Sequence, residues 1–136
     1  MKQLLERSAK TQHGRNGVID DTQSGLKVTL SKPKEMGGTE DKGSNPEELF
    51  AMGYSSCLAS SMEYLLTNEQ VEYKDLYVKA KAILVMIPDQ GFEFKLEVEA
   101  RIDGVSKETE ADFVEKAYQF CPYSKAIRNN VEVTFV

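Results

Sequence analysis

The chain has 136 residues, with 17 basic and 22 acidic side chains and a formal net charge of -5. That length fits a single domain over residues 1–136 with a real core, and the acidic balance excludes nucleic acid and anionic membrane as general partners. The longest apolar run, Ala82 to Ile87, is too short to span a bilayer, and Met1 to Lys10 carries charge where a signal peptide needs an apolar segment. A cytoplasmic location is therefore expected, where two cysteines are more often reduced than permanently bridged.

Leu4 to Thr11 alternates roughly between polar and apolar residues, and Gly14-Arg15-Asn16-Gly17 makes a turn before Val18-Ile19. Leu26 to Leu30 alternates cleanly, so the start of the chain reads as short strands in a meander or hairpin. A loop with breakers at Gly37-Gly38 and Gly43 follows from Ser31 to Ser44.

Asn45 to about Gln70 is expected to be the central helix. Asn45 suits the N-cap, Pro46 the first helical position, and Glu48 the acid of a capping box. Phe50, Tyr54, Cys57, Leu58, Met62 and Leu65 recur at helical spacing, and no charge falls between Glu48 and Glu63. These features predict a buried helix with a thiol at its middle.

Two long alternating segments follow, from Leu76 to Ile87 and from Phe92 to Ile102, joined at Pro88-Asp89-Gln90-Gly91 as an antiparallel hairpin. In the first of these strands the outer face changes from Tyr77, Lys79 and Lys81 to Ile83, Val85 and Ile87. A small monomer rarely covers both faces of such a sheet, so a partner subunit is expected. Ser106 caps a second predicted helix with the stripe Val114, Ala117, Tyr118 and Cys121; Pro122 then breaks it and opens a short third helix, and Val131 to Val136 reads as a closing strand. The fold class is α+β.

Little else in the chain can carry chemistry. His13 is the one histidine, no Cys-x-x-Cys or Cys-x-x-His pair exists to hold zinc, and no glycine-rich phosphate loop is present. No cofactor or metal is expected. The thiols remain, and each is open to the bland reading of a small hydrophobe on a packed helix. Cys121 has the better local case for acidity, at the start of a helix opened by Pro122, whereas mid-helix Cys57 needs an outside cation such as Arg15. Cys121-Pro122-Tyr123-Ser124 superficially matches a monothiol glutaredoxin, but only fifteen residues follow Cys121, too few for the sheet that fold places after its motif.

Taken together, Gly14-Arg15-Asn16-Gly17, Asn45-Pro46-Glu47-Glu48-Leu49-Phe50-Ala51-Met52-Gly53-Tyr54-Ser55-Ser56-Cys57 and Cys121-Pro122-Tyr123-Ser124-Lys125-Ala126-Ile127-Arg128-Asn129-Asn130 resemble the organic hydroperoxide resistance (Ohr) branch of the OsmC/Ohr family, in its order and spacing. Departures are small: Ser55-Ser56 stand where alanines are usual, Leu58 where an aromatic is common, and Asn129 where glycine often follows the arginine. The resemblance implies antiparallel sheets wrapped around central helices in an intertwined homodimer. It also implies a thiol peroxidase with Cys57 attacking, Cys121 resolving, and Arg15 and Glu47 as the activating pair. The implied substrate is an organic hydroperoxide, and the implied reductant a dithiol, dihydrolipoamide carried on a protein. Phe50, Tyr54, Leu58 and Tyr123 are the expected apolar substrate contacts. Glu47 lies ten residues before Cys57, about 15 Å along an unbroken helix, from which Arg15 is expected to meet Glu47 of the other subunit. The alternative from another class is a non-catalytic carrier of apolar ligands, or an interaction module, with structural cysteines.

Overall fold

The computed structural model describes residues 1–39 and 42–136, so positions 40 and 41 of the expected loop lie outside the described residues. These residues form two three-stranded sheets with helices, an α+β architecture, in two compact units, Met1–Leu49 and Phe50–Val136.

In the first unit β1 (Lys10–Gln12), β2 (Val18–Asp20) and β3 (Val28–Thr29) make an antiparallel sheet in chain order. Its first turn is the predicted one, closed by the Gly17 N–H donating to the Gly14 carbonyl at 2.9 Å. The first strand is shorter than the alternation from Leu4 implies. Leu4 and Leu5 are exposed, and pairing begins only at Lys10. Leu30 continues past β3 to bridge Ser44, which brings the chain to the start of α1 (Pro46–Asn68). The Asn45 side-chain oxygen accepts the Glu48 N–H at 2.8 Å, the expected N-cap.

In the second unit, every fourth residue of α1 is fully buried: Tyr54, Leu58, Met62 and Leu66. That spacing gives one stripe along the helix. The stripe packs with Leu96, Val98, Ala100 and Ile102 of β5 (Gly91–Asp103) and with Phe113 and Ala117 of α2 (Lys107–Phe120). β5 pairs antiparallel with β4 (Asp75–Ile87) over their whole length, in the register Leu76 with Ile102 through Ile87 with Gly91. The turn uses Asp89 at φ 64° and Gly91 at φ 92°, left-handed conformations that aspartate tolerates and glycine adopts freely. The Ser106 side chain accepts the Thr109 N–H and caps α2.

Two expectations need correction. β6 (Glu132–Phe135) joins β5 in parallel, so the second sheet is mixed, not antiparallel throughout. The helices between β5 and β6 supply the crossover that a parallel pairing requires. The charge-free stretch of α1 is also not buried all round. Met52, Ser56 and Ser60 face outward, and the Ser56 and Ser60 hydroxyls donate to the Gly53 and Ser56 carbonyls. Small hydroxyls satisfied by their own helix leave a face that is uncharged yet accessible.

Candidate active site

The site residues chosen from sequence fall into two clusters, one in each unit. In the first unit, Arg15 leaves the β1–β2 turn and meets Glu47 in the first turn of α1. The Arg15 Nη1 and Nη2 atoms donate to Glu47 Oε2 at 2.9 Å and Oε1 at 2.6 Å, a two-pronged pairing. These hydrogen bonds hold the Glu47 carboxyl below its ordinary range and push the Arg15 guanidinium further up. The pair forms within one chain, which overturns the expectation that Arg15 reaches Glu47 of a neighbouring subunit. The helical rise bears on the distance from Glu47 to Cys57; it places no limit on a residue arriving from a separate turn.

Beside Arg15 lies an open cavity of about 410 Å³, walled by Ile19, Leu30, Pro46 and Leu49 together with Thr11 and Gly14. Sequence reading missed Ile19, Leu30 and Leu49 as neighbours of the cation. Their apolar character was visible, but only the sheet register and the Leu30–Ser44 bridge bring them to one place.

In the second unit, Cys57 from the middle of α1 and Cys121 from the junction of α2 and α3 (Pro122–Ile127) come together. Their sulfurs are 3.3 Å apart, and both thiols are free. Pro122 has the predicted effect: Cys121 leaves helical geometry at φ -58°, ψ 125°, ending one helix and preceding the next. Its Sγ lies against Cys57 Sγ.

The two thiols differ in acidity. Burial pushes the Cys57 thiol up, and the adjacent Cys121 thiol pushes it further, against the Tyr123 N–H. Burial acts the same way on Cys121 but is outweighed by the Ser124 N–H, the Cys57 thiol, the Ser124 hydroxyl and the Tyr123 N–H, so its thiol is held below the usual range. Within this unit Cys121 is therefore the more acidic of the two thiols.

The four expected substrate contacts separate. Tyr54 and Leu58 are fully buried in the core; Phe50 is half-buried and stacks on Phe94 at 5.1 Å; Tyr123 is 43% exposed. Tyr123 lies over Gly53, where a Cβ would stand 2.8 Å from its phenolic oxygen, so only glycine lets the ring rest on α1 in this position. Tyr54 instead hydrogen-bonds Ser124 at 2.9 Å, and burial pushes its phenol up to about 12. Among the described residues, no group of three or more His, Cys, Asp and Glu side chains is placed to hold a metal ion, and no helix is long and apolar enough to cross a membrane.

The family model described as OsmC-like protein matches residues 38–136. The chain belongs to the OsmC/Ohr family. It is 33% identical over 134 residues to the organic hydroperoxide resistance protein of Xanthomonas axonopodis pv. citri, covering 98% of this chain and 94% of that one. Its fold matches the crystal structure of an organic hydroperoxide resistance protein from Legionella pneumophila with a TM-score of 0.93 and 36% identity, over 98% of this chain and 97% of that one. It also matches one from Elizabethkingia anophelis, solved with thiocyanate bound, with a TM-score of 0.92 and 38% identity, over 99% and 96% of the two chains. Both comparisons place the chain among Ohr-type proteins.

Proposed function

We propose that this protein is a thiol peroxidase that reduces organic hydroperoxides to alcohols, with the whole chain, residues 1–136, working as one functional domain. The observation that carries the reading is the 3.3 Å approach of two free thiols drawn from distant parts of the chain. Two structural cysteines need no such meeting; a nucleophile and its resolving partner do.

In the first step the Cys57 thiolate attacks the terminal peroxide oxygen. An S–O bond forms as the O–O bond breaks, Cys57 becomes a sulfenic acid, and the alkoxide leaves and is protonated to an alcohol. Cys57 is the less acidic thiol within its own unit, so this step needs a cation, and Arg15 is the residue assigned to it. Its guanidinium draws negative charge onto Cys57 and stabilises the departing oxygen. Glu47 holds that guanidinium in a fixed plane through both of its prongs.

In the second step Cys121 attacks the Cys57 sulfenic sulfur. An S–S bond forms, the S–O bond breaks, and hydroxide leaves and is protonated to water. A dithiol then reduces the disulfide by two exchanges, restoring both thiols. A protein-bound dihydrolipoamide is the proposed reductant, in the cytoplasm.

The apolar walls near Arg15 and the exposed face of Tyr123 support an organic substrate over hydrogen peroxide. A homodimer is part of the same reading. It would cover the uncharged outer face of α1 and the apolar side chains at the hairpin end, where Met86 and Phe92 are 72% and 63% exposed. The experiment is steady-state consumption of cumene hydroperoxide and of hydrogen peroxide with dihydrolipoamide as donor. Efficiency with the organic peroxide is expected to be higher by about tenfold or more, in line with apolar recognition. Equal efficiency would contradict an organic-peroxide site, and no consumption of either would favour a non-catalytic carrier.

A further inference from the structure

Tyr54 and Ser124 are both fully buried, and their hydroxyls lie 2.9 Å apart across the interface of α1 and α3. Neither has a place in the peroxidase steps above. Among the described residues, Ser124 Oγ is the one hydrogen-bond partner of Tyr54 Oη. A buried phenolic hydrogen without an acceptor is costly, so Tyr54 donates and Ser124 accepts. Ser124 is left with its own hydroxyl hydrogen to place. Three residues earlier in the chain is Cys121, also fully buried, whose Sγ is 3.3 Å from Cys57 Sγ.

We propose that Ser124 and Tyr54 are positioning residues for the resolving thiol: Tyr54 fixes the Ser124 oxygen, and the Ser124 hydroxyl turns its hydrogen to Cys121 Sγ when that sulfur is a thiolate. The inference rests on the reading of Cys121 as the resolving cysteine. A buried thiolate needs oriented donors, and a hydroxyl held from behind by a phenol supplies one at little cost in reorganisation.

Other observations fit this arrangement. The Ser124 hydroxyl and N–H are both among the groups that favour the Cys121 thiolate against burial. The phenol of Tyr54, pushed up to about 12, keeps its proton at physiological pH and remains a donor. The titratable groups that act on this cluster are Cys57 from α1, Cys121 itself and Tyr118 from α2. The proposal also gives Tyr54 a place that substrate contact does not, since its side chain is closed off from the surface.

The test titrates Cys121 by the ultraviolet absorbance of its thiolate in a Cys57→Ser background, which removes the second thiol and needs no peroxide. Ser124→Ala is expected to raise the titration midpoint by about one pH unit, a tenfold loss of thiolate below the midpoint. Tyr54→Phe, which keeps the ring, should raise it by less. Near-ultraviolet circular dichroism and the melting temperature show whether each variant is folded, and Tyr54→Phe decides alone if Ser124→Ala does not fold. An unchanged midpoint in either folded variant overturns the proposal. Failure of the peroxidase reading would appear separately, as absent turnover in the parent protein alongside shifted titrations.

Discussion

Cys57 Sγ and Cys121 Sγ stand 3.3 Å apart, with one sulfur on the central helix and the other at the break between two later helices. A disulfide has its sulfurs near 2.05 Å, so closing this pair takes about 1 Å of motion and no unfolding of either helix. One equivalent of cumene hydroperoxide is expected to remove both free thiols and lower the mass of the chain by two hydrogens. Peptide mapping under non-reducing conditions should find Cys57 joined to Cys121. Cross-links between chains in place of this internal bond would count against the assignment.

Removing the resolving thiol separates the two chemical steps. Cys121→Ala should consume about one equivalent of organic peroxide in a fast first turnover and then stop, leaving a Cys57 sulfenic acid that dimedone traps. Rapid-quench measurement of peroxide loss reads both phases. Sustained cycling with dihydrolipoamide would show that Cys121 is dispensable.

The Arg15–Glu47 pair makes stability depend on pH in a defined direction. Glu47 titrates below its ordinary value of 4.5 because Arg15 hydrogen-bonds its charged form. The unfolded chain therefore binds this proton more readily than the folded one. The stabilisation is complete above about pH 4.5 and is lost as pH falls through the lower folded value. Glu47→Gln should cost about 1–3 kcal/mol at neutral pH, as for part-buried hydrogen bonds to a charged group. Urea melts from neutral to acid pH should show the parent and variant curves converging; parallel curves would mean that the pair contributes nothing by its charge.

Much of the fold and of the site could be read from local chemistry. The Asn45 cap, the Pro122 break and the alternation of β4 and β5 are short-range signals, and each element formed where its residues indicated. The parallel seating of β6 depends on the crossover through α2 and α3, and four residues of alternation carry no direction. Arg15 and Glu47 were recognised individually, but the chain that supplies each partner is a tertiary fact that helical rise does not contain. Phe113, 3% exposed, lies one place before the predicted α2 stripe, which begins at Val114, and widens that buried face by one residue. Tyr54 was visible as an apolar helical residue, yet its hydroxyl partner lies seventy positions away, at Ser124.

Asn129 stands at φ 63°, in the left-handed region, on the turn into β6. Asparagine tolerates this conformation and glycine adopts it freely. Asn129→Gly should leave the melting temperature nearly unchanged. Asn129→Val should lower stability by about 1–2 kcal/mol, the cost of a branched side chain in this region. Thermal unfolding of the three proteins checks this, and equal stability of the valine variant would remove backbone strain from the account.

The central claim is that Cys57 is the nucleophile, and the most direct measurement is steady-state turnover of cumene hydroperoxide with dihydrolipoamide by Cys57→Ser. The variant is expected to lose activity by about a thousandfold or more, the scale seen when a covalent nucleophile is removed, while its melting temperature stays close to that of the parent. A folded Cys57→Ser protein that turns over at the parental rate would contradict the account.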